Sequence, residues 1–443
     1  MKIVESILYK RLFLLRLVSY SSIWCLYLYF MNQYAPHGTG WLNWHEQRIT
    51  NAMEFLRING YFSFNGFGIW DYCSDCSLSK DFWSDKIYTS HHSISYFPYL
   101  ILNYLFGKDA LIYFGPLIDK FVIFISGVAI SEIARGAVKE KSKLPAFVIS
   151  IICFSFFSFN PWTYKMILAS WTEIYFLMFF LLGLISFNKA HHYLGLFLFF
   201  CCALFHYQWA FFIAFFYLSI LFVQFLRLEK FSLEGYLPGS NFRLNAKIAL
   251  SLIIPTCGII LLKIITESVL ESPSGSNVLY RIGISGVDIH NGGLLGALQF
   301  LGGNRVTHCI SGIDLGLLSS SLDLQITLFN CTLSIGSMFL ISIVSVIGIS
   351  QLLRQVSVSK VIILPLLFSL IAMICVFQQS LSAHLMGYSY VFSVLFAVGL
   401  TSIFSLTINS EKLTAIKIIF LIPLTLGVLI TCIRVSMLTG ING

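Results

Sequence analysis

Two carboxylates and a scatter of imidazoles and guanidiniums are the residues of this chain best suited to chemistry. Glu46 stands in Trp44-His-Glu46, with Arg48 two residues on. A glutamate has an ordinary pKa of about 4.3, and partial burial raises it toward the range where a general base works. His45 and Arg48 are close enough in sequence to orient that carboxylate or to hold a phosphate. The plainer reading of Glu46 is a carboxylate at the start of a helix. Glu173, in Trp171-Thr-Glu173, opens an apolar run, where an acid is costly unless paired or near water. It reads either as an ion pair with Lys165 or as a contact to a substrate or metal. Further anion-holding candidates are His91, His92, Arg281, Arg305 and His308, of which Arg305 and His308 form the most attractive pair. His206 lies where an apolar stretch breaks, and it reads as a helix-helix hydrogen bond or a ligand contact. Cys73-Ser-Asp-Cys76 is compatible with a local disulfide, free thiols, or a redox or metal role.

The elements that must position these residues follow from composition. By length, 443 residues suggest two or three soluble domains. Yet apolar residues make up 57%, charged residues 11%, and the mean hydropathy is +0.82. A soluble domain carries about 25% charged residues. The chain therefore reads as an all-α polytopic membrane protein, which excludes a soluble enzyme, a disordered chain and a nucleic-acid binder. Its +8 net charge is what basic cytoplasmic loops produce. Cys25, Cys153, Cys201, Cys202, Cys257 and Cys375 sit in apolar runs and read as small lipid- or core-facing residues. Residues 1–34 read as a cytoplasmic N-terminus and a retained first span, without a cleavage site.

A helix needs about 20 apolar residues to cross a bilayer. On that basis eleven spans are expected, at about 12–33, 112–134, 144–160, 171–187, 194–205, 209–226, 247–266, 325–350, 361–377, 388–407 and 417–436. The stretch 194–226 is short for two spans and should tilt or break at His206-Tyr-Gln-Trp209. Most of the 28 Lys and Arg fall on the N-terminus and the even-numbered connections, which makes the N-terminus cytoplasmic and leaves the acidic loops outside. The expected divisions are the first span (1–34), a first outer loop (35–109), a transmembrane core (110–266), a second large outer loop (267–324) and C-terminal helices (325–443).

Within the first loop, Ile49, Met53, Phe55 and Leu56 suit a short interfacial amphipathic helix over 49–57, with Glu46 near its N-terminus, where the helix dipole favours a carboxylate. Residues 90–107 suit a second interfacial helix. Trp41, Trp44, Trp70 and Trp83 suit the headgroup belt or, alternatively, stacking on a sugar.

This order of parts resembles the GT-C fold of lipid-linked-sugar glycosyltransferases. The parts are Trp44-His-Glu46, the helix 49–57, Asn59-Gly60, Ser90-His-His92, Tyr104-Leu-Phe-Gly107, the span ending Ile133-Ala-Arg135, and Glu173 opening the fourth span. The resemblance covers roughly residues 12–226. Two departures are visible: the family's frequent Asp is Glu at both acidic positions, and its Lys-Pro-Pro element is Ser90-His-His92 here. Within that superfamily, the size and the two large outer loops look like the phage-encoded serotype-converting O-antigen glucosyltransferases of enteric bacteria.

That resemblance implies a GT-C-like bundle in the bacterial inner membrane with a periplasmic site. It implies transfer of glucose from undecaprenyl-phosphate-glucose to O-antigen sugars of lipopolysaccharide, with a donor synthase and a flippase as functional partners. Such transfer needs a base for the acceptor hydroxyl, cations or hydrogen-bond donors for the leaving phosphate, and a groove for the lipid. Glu46 is the candidate base and Glu173 the second acid. His45, Arg48, His91, His92, Lys165, His206, Arg305 and His308 are the candidates for the donor's phosphate and sugar. The resemblance assigns no definite cofactor and is compatible with a divalent cation. No Walker, Rossmann, His-Glu-x-x-His or Gly-x-Ser-x-Gly motif occurs. The alternatives are a transporter or flippase of a lipid-linked sugar, which predicts charges inside spans and repeat symmetry, and an O-antigen polymerase or ligase, whose large loop usually falls late in the chain.

Overall fold

With no water in the hydrocarbon core, each apolar run must satisfy its backbone within itself, and these runs fold as helices. The computed structural model describes residues 2–34, 41–61, 63–68, 92–138, 145–159, 163, 172–225, 242–270, 397 and 401. Every regular element among them is helical. They are α1 (Lys2–Tyr34), α2 (Trp41–Asn59), α3 (Phe97–Val138), α4 (Ala146–Ser158), α5 (Thr172–Asn188), α6 (His192–Phe205), α7 (Tyr207–Phe225) and α8 (Phe242–Leu270). Short 3-10 turns at Ser63–Gly66 and Ser93–Tyr96 join the first-loop segments.

Each of the first seven expected spans coincides with a helix. Their lengths differ. Within α8, Phe242–Thr266 is long and apolar enough to cross a bilayer by length and composition, whereas α4 and α6 have 13 and 14 residues and reach only about 20 Å. The expected spans from 325 onward, the second large loop after Leu270, and the motif Cys73–Cys76 lie outside the described residues, apart from the isolated positions 397 and 401.

The element that does most to shape the site is α3. Gly107 interrupts it at φ 82°, ψ −178°, a backbone region open essentially to glycine alone. In an unbroken helix, positions 99 and 119 would stand about 30 Å apart. Instead the Tyr99 hydroxyl donates to Asp119, so residues 97–106 fold back along residues 108–138 as a helical hairpin. Gly115 makes room for this, since a Cβ there would lie 2.5 Å from the Tyr99 ring. The expected interfacial helix ending at Gly107 is the first arm of this hairpin. Its tip residues Tyr104, Leu105 and Phe106 are exposed, and they suit a lipid surface rather than water.

Two apolar clusters hold the helices. The first joins α1, α2, α3, α4 and α5 through Tyr20, Trp24, Met53, Ile123, Phe154 and Tyr175, among others. The second joins α5, α6, α7 and α8 through Phe176, Phe199, Tyr217 and Leu252. Close approach is set by small residues: Gly127 admits Phe154 and Phe157, and Gly183 admits Phe199. Toward the end of the bundle away from the hairpin tip, Glu132 accepts from Arg135 at 2.8 Å, pairs with Arg16 at 3.4 Å and accepts from Tyr20 at 3.3 Å. Outside these clusters α1, α3 and α8 expose Leu14, Val18, Phe114, Phe121, Ile254 and Leu261, the surface a lipid-embedded bundle presents.

Candidate functional site

The first-loop segments pack on the rest of the bundle rather than standing apart from it. α2 carries its apolar stripe inward, with Ile49, Met53, Phe55 and Leu56 all buried in the first cluster. The helix begins at Trp41, eight residues before the expected start, because the polar stretch Asn43–Arg48 contains no helix breaker. Glu46 is therefore its sixth residue. By helical register, position 46 falls in line with Thr50 and Met53. His45 and Arg48 lie on the same stretch of α2.

The C-terminal turn of α2 carries a polar node. The Arg57 guanidinium donates through Nη2 and Nε to the two Glu54 oxygens at 2.6 and 2.9 Å, and the Asn103 amide donates to Glu54 at 3.3 Å. The Arg57 hydrogen bonds, reinforced by Asn103 and the positive charges of Arg57 and Lys108, outweigh desolvation and hold the Glu54 carboxyl below the usual glutamate range. Beside this node a groove of about 350 Å³ opens between α2 and the hairpin arm. It is lined by Leu56, Arg57, Gly60, Tyr61, Leu100, Ile101, Tyr104 and Leu105. Among the described lining residues Arg57 alone carries a charge, and Ile101, Tyr104 and Leu105 are open to the surroundings.

His92 is buried and both of its ring nitrogens are engaged. Nδ1 accepts from the Ile94 N–H at 3.1 Å, which leaves Nε2 as the protonated nitrogen, donating to the Asn65 carbonyl at 2.9 Å. Burial drives its pKa below the usual histidine value, against the Asn65 hydrogen bond, which raises it. The ring caps the 3-10 turn Ser93–Tyr96 and ties it to Ser63–Gly66. Ser93 adds a hydrogen bond to the Gly66 carbonyl, and burial pushes the Tyr61 hydroxyl's pKa up while a hydrogen bond with Ser93 opposes this.

Two side chains then fasten this loop assembly to the spans. Asn65 donates to the Thr266 hydroxyl of α8 at 2.9 Å, and Ser95 donates to the Leu204 carbonyl at the end of α6 at 3.0 Å. The second contact reaches the break between α6 and α7. There His206 is buried in an extended conformation, and its Nδ1 accepts from the Trp209 N–H at 3.3 Å. The structure thus brings His92 and His206 to one end of the bundle. Glu173 is the second residue of α5. His91, Lys165, Arg305 and His308 lie outside the described residues. Among the described residues, no group of His, Cys, Asp and Glu is arranged to hold a metal ion.

Sequence reasoning missed the bond network around Asp119. This carboxylate is only 2% exposed, and it accepts from Tyr175 at 2.8 Å through Oδ1 and from Tyr99 through Oδ2. The sequence signal was an Asp inside an apolar span. Its partners, 20 and 56 residues away, carried none.

No protein-family model matches the chain, and no curated protein matches it. Among solved structures, the archaeal oligosaccharyltransferase AglB from Archaeoglobus fulgidus, in complex with an inhibitory peptide and a dolichol-phosphate, aligns with a TM-score of 0.47 and 11% identity. The alignment covers 95% of this chain and 56% of AglB, so the chain spans about half the length of that protein. A likeness at this level transfers neither substrate nor site.

Proposed function

We propose that the chain is a membrane glycosyltransferase that moves a sugar from a polyprenyl-phosphate carrier to a glycan acceptor at the end of the bundle where the first loop folds. The observation that carries this reading is the groove between α2 and the hairpin arm. It is an apolar channel open beside lipid-facing side chains, with a guanidinium at its lip, and it suits an amphiphile with an anionic head and a long hydrocarbon tail. In its sharpest form the donor is undecaprenyl-phosphate-glucose, the acceptor is an O-antigen sugar, and the site is periplasmic.

In this mechanism the Glu46 carboxylate takes the proton of the acceptor hydroxyl. The acceptor oxygen then bonds to the anomeric carbon from the face opposite the phosphate. The bond between that carbon and the phosphate oxygen breaks, and the polyprenyl phosphate leaves with the electron pair, so the anomeric configuration inverts. Glu173 at the start of α5 orients the acceptor, and Arg57 at the groove's lip, together with Arg48, His45, His91, Lys165, Arg305 and His308, make up the candidates for neutralising the phosphate. His92 and His206, whose rings bond backbone groups, shape the loop around them.

Mass spectrometry of lipopolysaccharide tests this reading. Cells making the wild type should gain one hexose per repeat, and cells making Glu46→Gln at equal level should not. Full modification by Glu46→Gln would remove Glu46 as the base. A change in chain length in place of added hexose would transfer the assignment to a polymerase or ligase. Counterflow of labelled lipid-linked sugar in vesicles without acceptor would transfer it to a transporter.

A further inference from the structure

We infer that Asp119 is a positioning residue which clamps the groove wall and the turn bearing Glu173 in one fixed relation, through Tyr99 on one carboxylate oxygen and Tyr175 on the other. The inference rests on the proposed site. Its geometry comes from three segments far apart in the chain. Tyr99 belongs to the hairpin arm and directly precedes Leu100 and Ile101, which line the groove. Asp119 belongs to the second arm of α3. Tyr175 stands two residues after Glu173 in the first turn of α5, and its ring stacks on Phe205 at 5.1 Å, next to His206.

A carboxylate at this depth is more than packing requires. An apolar side chain of similar size would fill the position without the cost of a buried charge. What an apolar side chain could not do is accept a directed hydrogen bond from each of two elements. The two oxygens diverge, one to each tyrosine, so the carboxylate acts as a two-armed link. Each arm then has a separate consequence. Loss of the Tyr99 arm loosens the groove wall and weakens donor binding. Loss of the Tyr175 arm loosens the first turn of α5 and slows transfer with donor binding intact.

The test uses the full chain in lipid nanodiscs with Tyr99→Phe, Tyr175→Phe and Asp119→Asn. Hydrogen-deuterium exchange should rise over residues 97–106 in Tyr99→Phe, over 172–178 in Tyr175→Phe, and over both in Asp119→Asn. With synthetic polyprenyl-phosphate hexose, Tyr99→Phe should raise the donor KM about tenfold with kcat within about twofold of wild type, and Tyr175→Phe should lower kcat about tenfold at unchanged KM, the low end for losing a hydrogen bond to a charged group. Unchanged exchange in both segments, or an equal rise across all helices in every variant, would overturn the clamp. Wild-type protein that transfers no hexose would overturn the proposed function instead, and the exchange pattern would still decide the clamp.

Discussion

Replacing Gly107 by alanine isolates the backbone contribution to the hairpin. A Cβ built at Gly107 meets nothing within 4 Å, so the substitution creates no clash. What remains is the conformation itself: at φ 82°, ψ −178° an L-residue carries a cost of about 1–3 kcal/mol. Gly258 supplies the control. Its Cβ would also meet nothing, but it sits inside α8 without a positive φ, where alanine is favoured over glycine by up to about 1 kcal/mol. The two variants add the same methyl to equally open space and should move stability in opposite directions. Domains of 150–250 residues shift by about 2–4 °C per kcal/mol, and a longer chain shifts less, so Gly107→Ala should melt about 1–5 °C below wild type. Thiol-reactive fluorescence in detergent reads this directly, because Cys153 and Cys202 are buried in the fold while Cys25 and Cys257 are exposed from the start. Gly107→Ala melting at or above the wild-type temperature would refute the fold-back geometry, and with it the juxtaposition of Tyr99 and Asp119.

Gly115→Ala should destabilise by about 1–3 kcal/mol, because its Cβ would lie 2.5 Å from the Tyr99 ring and force it aside; raised exchange confined to residues 97–106 would confirm the route. His92 gives a pH dependence. Its folded pKa is depressed by burial, so below the unfolded value of about 6.5 the unfolded chain binds the extra proton. Stability is complete above that pH and falls as pH drops through the folded pKa, so the wild type should melt lower at pH 5 than at pH 7.5, and His92→Gln should show a smaller difference. Arg57→Leu should raise the donor KM while leaving kcat near wild type, and should let the Glu54 pKa rise toward its ordinary value; an unchanged KM would detach the groove from the donor.

The helices were legible in the sequence because a bilayer leaves an apolar run few options. Residues 171–187 were expected as a span and α5 covers Thr172–Asn188, while 12–33 falls inside α1. The break at His206 was also visible, since a polar residue interrupts a stretch too short for two full spans. The start of α2 was not. A stripe of Ile49, Met53, Phe55 and Leu56 marks where a helix is buried, and says nothing of how far it extends through polar residues that tolerate helix equally well. The Asp119 clamp was illegible for a different reason. Tyr99 meets Asp119 only after the chain reverses at Gly107, and Tyr175 arrives from another helix. Hydrogen bonds between distant residues leave no period in the sequence to detect.

The same physics explains why the candidate site lies at the loop-bearing end. α4 and α6, at about 20 Å, are shorter than the roughly 30 Å of hydrocarbon they are expected to cross. Short helices bring polar backbone ends toward the depth where each unsatisfied group costs several kcal/mol. The chain satisfies these ends with side chains. Ser95 donates to the Leu204 carbonyl at the end of α6, the His206 imidazole accepts the Trp209 N–H at the start of α7, and Thr163 donates to the Phe157 carbonyl near the end of α4. The first-loop turn is therefore part of how α6 can end where it does. An irregular polar stretch is tolerated at that depth only when enclosed by protein or lining a cavity. A loop that encloses such a break, beside an apolar groove with an arginine at its rim, places polar groups at the edge of lipid, where a lipid-borne anionic substrate would have to be met.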